Sequence, residues 1–185
     1  VHEPLIQSTL INTDLELGFV NDLATGYEVS ADGMAWTFTL RDGVRFTDGE
    51  KLTAKDVAFT INAIINSEAA QADLSSIREA VATDDSTVVL HMTHPDNTIL
   101  YTLAVVGILP AHAYDQDYGS NPIGSGRYRL EQWDKCQQVI LTANPDYYGP
   151  APKVGRVVVL FMSEDASLAA AAASRHPGVK WLALL

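Results

Sequence analysis

Apolar and polar side chains alternate at the heart of this chain: Trp36, Phe38 and Leu40 against Thr37, Thr39 and Arg41. A period of two predicts a strand with one buried face. The alternation resumes at Val44 and Phe46, framed by Asp42-Gly43 and Asp48-Gly49. These are turn dipeptides, because glycine reaches positive φ freely and aspartate tolerates turns. Residues 36–46 are therefore expected to form a tight hairpin or meander. The period then changes. Val57, Ile61, Ile64 and Ile65 recur at helical spacing. Thr53 precedes them as an N-cap, with Asp56 three residues on in a weaker form of the capping box. A helix from Thr53 to about Asn66 follows.

The same reading covers the rest of the chain. Residues 4–10 are a short helix candidate. Strands at 27–29 and 35–40 are joined by the turn Ser30-Ala31-Asp32-Gly33, and a second hairpin joins 77–82 to 87–92 across Thr83-Asp84-Asp85-Ser86. Asp96 or Asn97 caps a helix running to about Val105. Gly107 and Pro110 break the chain before a turn at 111–115. Residues 128–133 and 138–142 read as a strand pair, and 154–162 as a β-branched strand. Ser163 caps an alanine-rich helix over 165–173. No internal repeat is visible. The expected class is α+β, a mixed sheet with flanking helices.

Composition narrows the function. Apolar residues make up 47% of the 185, enough for a core. The 23 acidic against 12 basic residues give a net charge of −11, which disfavours nucleic acid as a partner. The single cysteine, Cys136, excludes an internal disulfide and a cysteine-rich zinc site. The start, Val1-His2-Glu3-Pro4, has neither the basic region nor the apolar run of a signal peptide. No apolar run approaches the ~20 residues of a membrane span. A natural start upstream of Val1 is expected.

Three places invite chemistry. Ile123-Gly124-Ser125-Gly126 is a glycine-rich loop before a strand. Gly124, Ser125 and Gly126 are candidates for close backbone approach to a ligand or to another chain. The loop lacks the Gly-Lys-Ser/Thr of a phosphate loop and the G-x-S-x-G of a nucleophile elbow. His91 and His94 lie three apart, on opposite faces of a strand, with no carboxylate or cysteine cluster to complete a metal site. Trp133, Tyr147 and Tyr148 are aromatics near turns, suited either to stacking on a ligand or to packing. A hydrolase would need a nucleophile–base–acid set or a metal cluster; none is visible, so no catalytic residue, metal or cofactor is assigned.

Residues 36–57 also resemble a signature of family 5 of the solute-binding proteins, the peptide-, dipeptide- and nickel-binding components of ABC importers. The matching positions are Trp36, Phe38, Leu40, Arg41, Gly43, Val44, Phe46, Asp48, Gly49, Asp56 and Val57. Glu3-Pro4-Leu5, Leu23-Ala24 and the Ser30–Gly33 turn extend the likeness upstream. Downstream, Leu109-Pro110-Ala111-His112 resembles an Ile-Pro-Lys-His step. Asn121-Pro122-Ile123-Gly124-Ser125-Gly126-Arg127-Tyr128 is similar to Asn-Pro-x-Gly-Thr-Gly-Pro-Tyr, and Asn144-Pro145-Asp146-Tyr147-Tyr148-Gly149 to Asn-Pro-x-Tyr-Trp-Gly. The matches fall in family order from about residue 3 to 172.

The resemblance implies part of lobe I of a class II periplasmic binding protein, a clamshell that closes on its ligand. It divides the chain into a small α/β domain over 1–120, part of the main lobe over 121–173, and an atypical tail over 174–185. It implies a periplasmic or extracellular binding component that captures small peptides or other solutes for ABC transporter permease subunits. A nickel-chelate binder is the alternative within the family. Nickel-binding members carry an arginine in the segment matching 103–108; here Val106, Gly107 and Ile108 stand there as ligand-proximal candidates, with no arginine. A sensor or chaperone-like relative would share the same fold. With one lobe, ligand affinity is expected to be weak. Trp181-Leu182-Ala183-Leu184-Leu185 and uncovered apolar surface suggest a homodimer.

Overall fold

The computed structural model describes residues 3–67, 72–161 and 183–184. A first four-stranded antiparallel sheet is built from β3 (Ala24–Val29), β4 (Ala35–Leu40), β5 (Ile77–Ala82) and β6 (Thr87–Met92), in the order β3-β4-β6-β5. Its register sets Trp36 opposite Leu90 and Phe38 opposite Val88. The predicted alternation sends Trp36, Phe38 and Leu40 into the core. Helix α2 (Ala54–Ile65) covers this sheet. It starts at Thr53 with a full reciprocal capping box. The Asp56 carboxylate accepts from Thr53 N at 2.8 Å through one oxygen and from Ala111 N at 3.0 Å through the other. The helix cap thus also pins a distant loop. Thr60 adds to this, since its hydroxyl accepts from Leu109 N at 2.9 Å.

A second sheet contains β7 (Tyr128–Asp134), β8 (Gln138–Ala143) and β9 (Arg156–Leu160), antiparallel to one another. The main chain of β10 (Ala183–Leu184) pairs with β9 in parallel. Helix α1 (Glu3–Ile6) packs on β7, and Ile6 is buried with Tyr128, Val139, Leu141 and Val159. The small hairpin of β1 (Ile11–Thr13) and β2 (Phe19–Asn21) and the short helix α3 (Ile99–Leu103) join the larger core around the first sheet. This larger core includes Leu10, Phe38, Phe46, Ile61, Leu90 and Leu103.

Three expectations are corrected. Val44 and Phe46 do not pair with β4; they sit in a buried loop where Phe46 N donates to Glu50 O and Leu52 N to Val44 O. Strand β4 already spends both edges on β3 and β6. The N-terminal helix ends at Ile6 rather than Leu10, because the carbonyls of Ile6, Ser8, Thr9 and Leu10 are taken by other segments. Helix α3 stops at Leu103, short of Val105, and Asp96 accepts from Thr98 N at 2.8 Å instead of capping it. The alanine-rich helix expected over 165–173 lies outside the described residues.

Removing the Asp56 carboxylate deletes a cap and takes the acceptor from the part-buried bond to Ala111 N. Asp56→Ala is expected to lose about 2–4 kcal/mol in urea unfolding, and Thr53→Ala about 1 kcal/mol. Equal losses for the two variants would show that the bond to Ala111 contributes nothing.

Candidate functional site

Residues 6–10 form an extended strap, and the two loops singled out in the sequence close on it. Gly126 N donates to Ile6 O at 2.7 Å, and Ile108 N donates to Ser8 O at 2.9 Å. On the far side Leu23 N reaches Thr9 O, and both Asp22 N and Ala24 N reach Leu10 O. The strap therefore touches both sheets' surroundings within five residues.

Glycine is required where the loops meet it. A Cβ on Gly124 would stand 2.0 Å from Ile6 O, and one on Gly126 2.6 Å from the Ile6 carbonyl carbon. A Cβ on Gly107 would stand 2.4 Å from Gln7 Oε1. Gly124 and Gly126 admit the chain's own backbone at Ile6, and Gly107 admits the Gln7 side chain. Val106, Ile108, Gly124, Ser125 and Gly126 are all buried, and Gly107 half-buried.

The Gln7 side chain fixes the middle of the strap. The Tyr118 hydroxyl gives its proton to Ile123 O at 2.5 Å, so it receives one from Gln7 Nε2 at 2.9 Å. That orients Gln7 Oε1 toward Gly107, where it is buried without a hydrogen-bond partner. The hydroxyl of Ser125 is also buried and has no partner among the described residues. The Gly-Ser-Gly loop is held from behind as well: Asn144 Nδ2 donates to Gly126 O at 2.9 Å, and Thr47 N to Gly124 O at 2.9 Å. The two Asn-Pro motifs and the second Asp-Gly turn thus converge on one place.

A second junction lies beside the strap. Tyr148 donates to Asp22 Oδ1 at 2.5 Å, while Thr9 N and its hydroxyl approach the other carboxylate oxygen. The Arg41 guanidinium stacks 5.5 Å from the Tyr148 ring centroid, and that of Arg127 stacks 5.7 Å from Tyr147. Burial, then the Asp22 charge, pushes the Tyr148 phenol well above the usual tyrosine range. Asp22 carried no local sequence signal, for its partner lies 126 residues away.

The remaining motif residues are mostly architectural in position. Trp36, Phe38, Leu40, Val44, Phe46, Asp56 and Val57 are buried. Gly43 and Gly49 take positive φ of 76° and 95° in their turns. Asp48 meets His112 Nε2 at 2.7 Å, joining the second turn to the loop after Pro110. His91 sits on β6, and His94 Nδ1 contacts Thr93 Oγ1. Among the described residues no group of three or more His, Cys, Asp or Glu gathers as a metal site. Trp133 lies on β7 beside the smaller core.

Residues 18–176 match the sequence profile of bacterial extracellular solute-binding proteins, family 5 Middle. The chain is 36% identical over 171 residues to a relative from Escherichia coli named Probable D,D-dipeptide-binding periplasmic protein DdpA. That match covers 84% of this chain and 32% of the relative. Among solved structures, the oligopeptide-binding protein AppA of Bacillus subtilis, in complex with a nonapeptide, superposes with TM-score 0.80 and 27% identity. NikZ of Campylobacter jejuni, in complex with Ni(L-His), does so with TM-score 0.81 and 28% identity. Each structural match covers 92% of this chain and 36% of the neighbour. The chain spans about a third of the length of the curated relatives it matches.

Two outcomes are expected from this geometry. Gly124→Ala forces a methyl into the Ile6 carbonyl and should cost at least about 2–3 kcal/mol, against about 1 kcal/mol for Gly43→Ala, which meets only the positive-φ penalty. Chemical unfolding of both variants checks this, and equal losses would remove the close approach from the account. Tyr148 has a folded pKa above its unfolded value, so its contribution is complete below about pH 10 and fades as pH rises beyond it. The unfolding midpoint should fall more steeply above about pH 10 in the native chain than in Tyr148→Phe. Parallel curves would contradict the assignment.

Proposed function

Because the chain belongs to the bacterial extracellular solute-binding proteins of family 5, we propose that it forms part of one lobe of an ABC importer's solute-capturing component. The likeness in fold to a nonapeptide-bound oligopeptide-binding protein, together with the 36% identity to DdpA, carries this reading. The family consists of binding proteins, and the chain's role is capture without catalysis. The solute class is short peptides or related small organic molecules. The whole protein would work outside the cytoplasm with permease subunits in the membrane. Among the described residues no helix is long and apolar enough to cross a membrane.

The structure supports a particular division of labour. Val106, Gly107, Ile108, Gly124, Ser125 and Gly126 are ligand-proximal through position: they fix the wall that carries the solute, with the strap as its spine. The first sheet and α2, up to about residue 120, act as a small domain, and the second sheet, over 121–173, as part of the main lobe. Closure of a partner lobe would then add the remaining contacts. A nickel chelate is the second reading, favoured by the NikZ likeness. Segment 103–108 lacks the arginine that the resemblance associates with that ligand. Self-association would use exposed apolar residues such as Leu15, Leu17, Tyr101 and Val105.

With one wall of the cleft, affinity is weak. Titration of the chain with di- to pentapeptides, followed by NMR, is expected to give saturable shifts with Kd in the millimolar range, about −4 kcal/mol. Peptide hydrolysis, or saturation by nickel–histidine with no response to any peptide, would overturn the peptide reading.

A further inference from the structure

Between Pro110 and the Gly-Ser-Gly loop lies an aromatic hollow. It holds about 520 Å³ and is lined by Tyr114, Asp115, Gln116, Tyr118 and Gly119. That volume is in the range of small-molecule sites. The rings of Tyr114 and Tyr118 stand 5.2 Å apart at 50°. Phe59 of α2 meets Tyr114 edge-on at 5.6 Å and backs it. Tyr118 is held at its hydroxyl by Gln7 and Ile123, and its backbone begins a 3-10 turn, Tyr118–Ser120. One wall is therefore anchored to the strap and the other to the helix.

The charge in the hollow is one-sided. Its lining contains no lysine or arginine, and Asp115 places a carboxylate there. One Asp115 oxygen accepts from Asp117 N at 2.9 Å, and among the described residues no cation pairs with either aspartate. An anion would be repelled. A purely apolar guest would strip water from Asp115 without replacing it. A cation with an apolar body satisfies both surfaces: tyrosine faces attract positive charge through the ring quadrupole, and the carboxylate takes a charge-assisted hydrogen bond. We propose that Tyr114, Asp115 and Tyr118 form a binding site for a primary ammonium group carried on a short apolar chain. A free amine and the N-terminus of a peptide share this chemistry.

The proposal rests on Tyr114, Asp115 and Tyr118 and holds whether or not the peptide reading does. Phenethylamine is the probe, followed through the ring resonances of Tyr114 and Tyr118. Saturable shifts are expected, with 2-phenylethanol at least about tenfold weaker. Asp115→Asn keeps the acceptor for Asp117 N and should weaken phenethylamine about tenfold, with an unchanged unfolding midpoint. Phe-Ala amide and its N-acetyl form distinguish the sources: a peptide terminus is supported if only the free amine form matches phenethylamine, and a free amine if neither does. Absence of shifts with phenethylamine, equal binding of the alcohol, or an unaffected Asp115→Asn variant would overturn the site.

Discussion

The backbone of residues 6–10 runs through the interior and must find partners for its polar groups there. It finds them on both sides. Ile6 and Ser8 accept from the loops at 126 and 108, and Thr9 and Leu10 accept from residues 22–24. Ile6 itself belongs to the smaller core, while Leu10 and Ile11 belong to the larger one. Five residues thus link the two hydrophobic clusters, beside the Tyr148–Asp22 junction. The glycines at 107, 124 and 126 are consequences of that path, since any side chain there would collide with the strap.

Local order was legible in the sequence wherever a single period ruled. The alternation at 36–40, the hairpin at 77–92 and the helix after Thr53 all appear where the pattern puts them. Strand β9 is shorter than its β-branched run but in place. What the pattern missed has a common cause. Residues 7–10 look helical locally, yet the carbonyls of Ser8, Thr9 and Leu10 are claimed by other segments, that of Ser8 by Ile108. Val44 and Phe46 alternate like a strand, yet β4 has no free edge for them. Tertiary hydrogen bonding outweighs propensity in both places.

Site residues were legible only as motifs. Gly124 and Gly126 stood out as positions of close approach, but the backbone that approaches belongs to Ile6. Asp22, Gln7 and Tyr118, which tie the loops to the strap, lie in no recognisable pattern. Tyr114 and Tyr118 stand four apart in an aspartate-rich loop that no motif marks. On the proposed function, a strap shared by two cores would hold the shape of one wall while a partner lobe moves.

That cooperativity is the central claim, and native-state hydrogen exchange at the amides of Gly126, Ile108 and Leu23 tests it most directly. These donors come from three separate segments but all end on residues 6–9. If the strap unites the two cores, the three amides share one opening free energy and one denaturant dependence. If Gly126 opens at low free energy while Leu23 stays protected to global unfolding, the two cores are independent and the account fails.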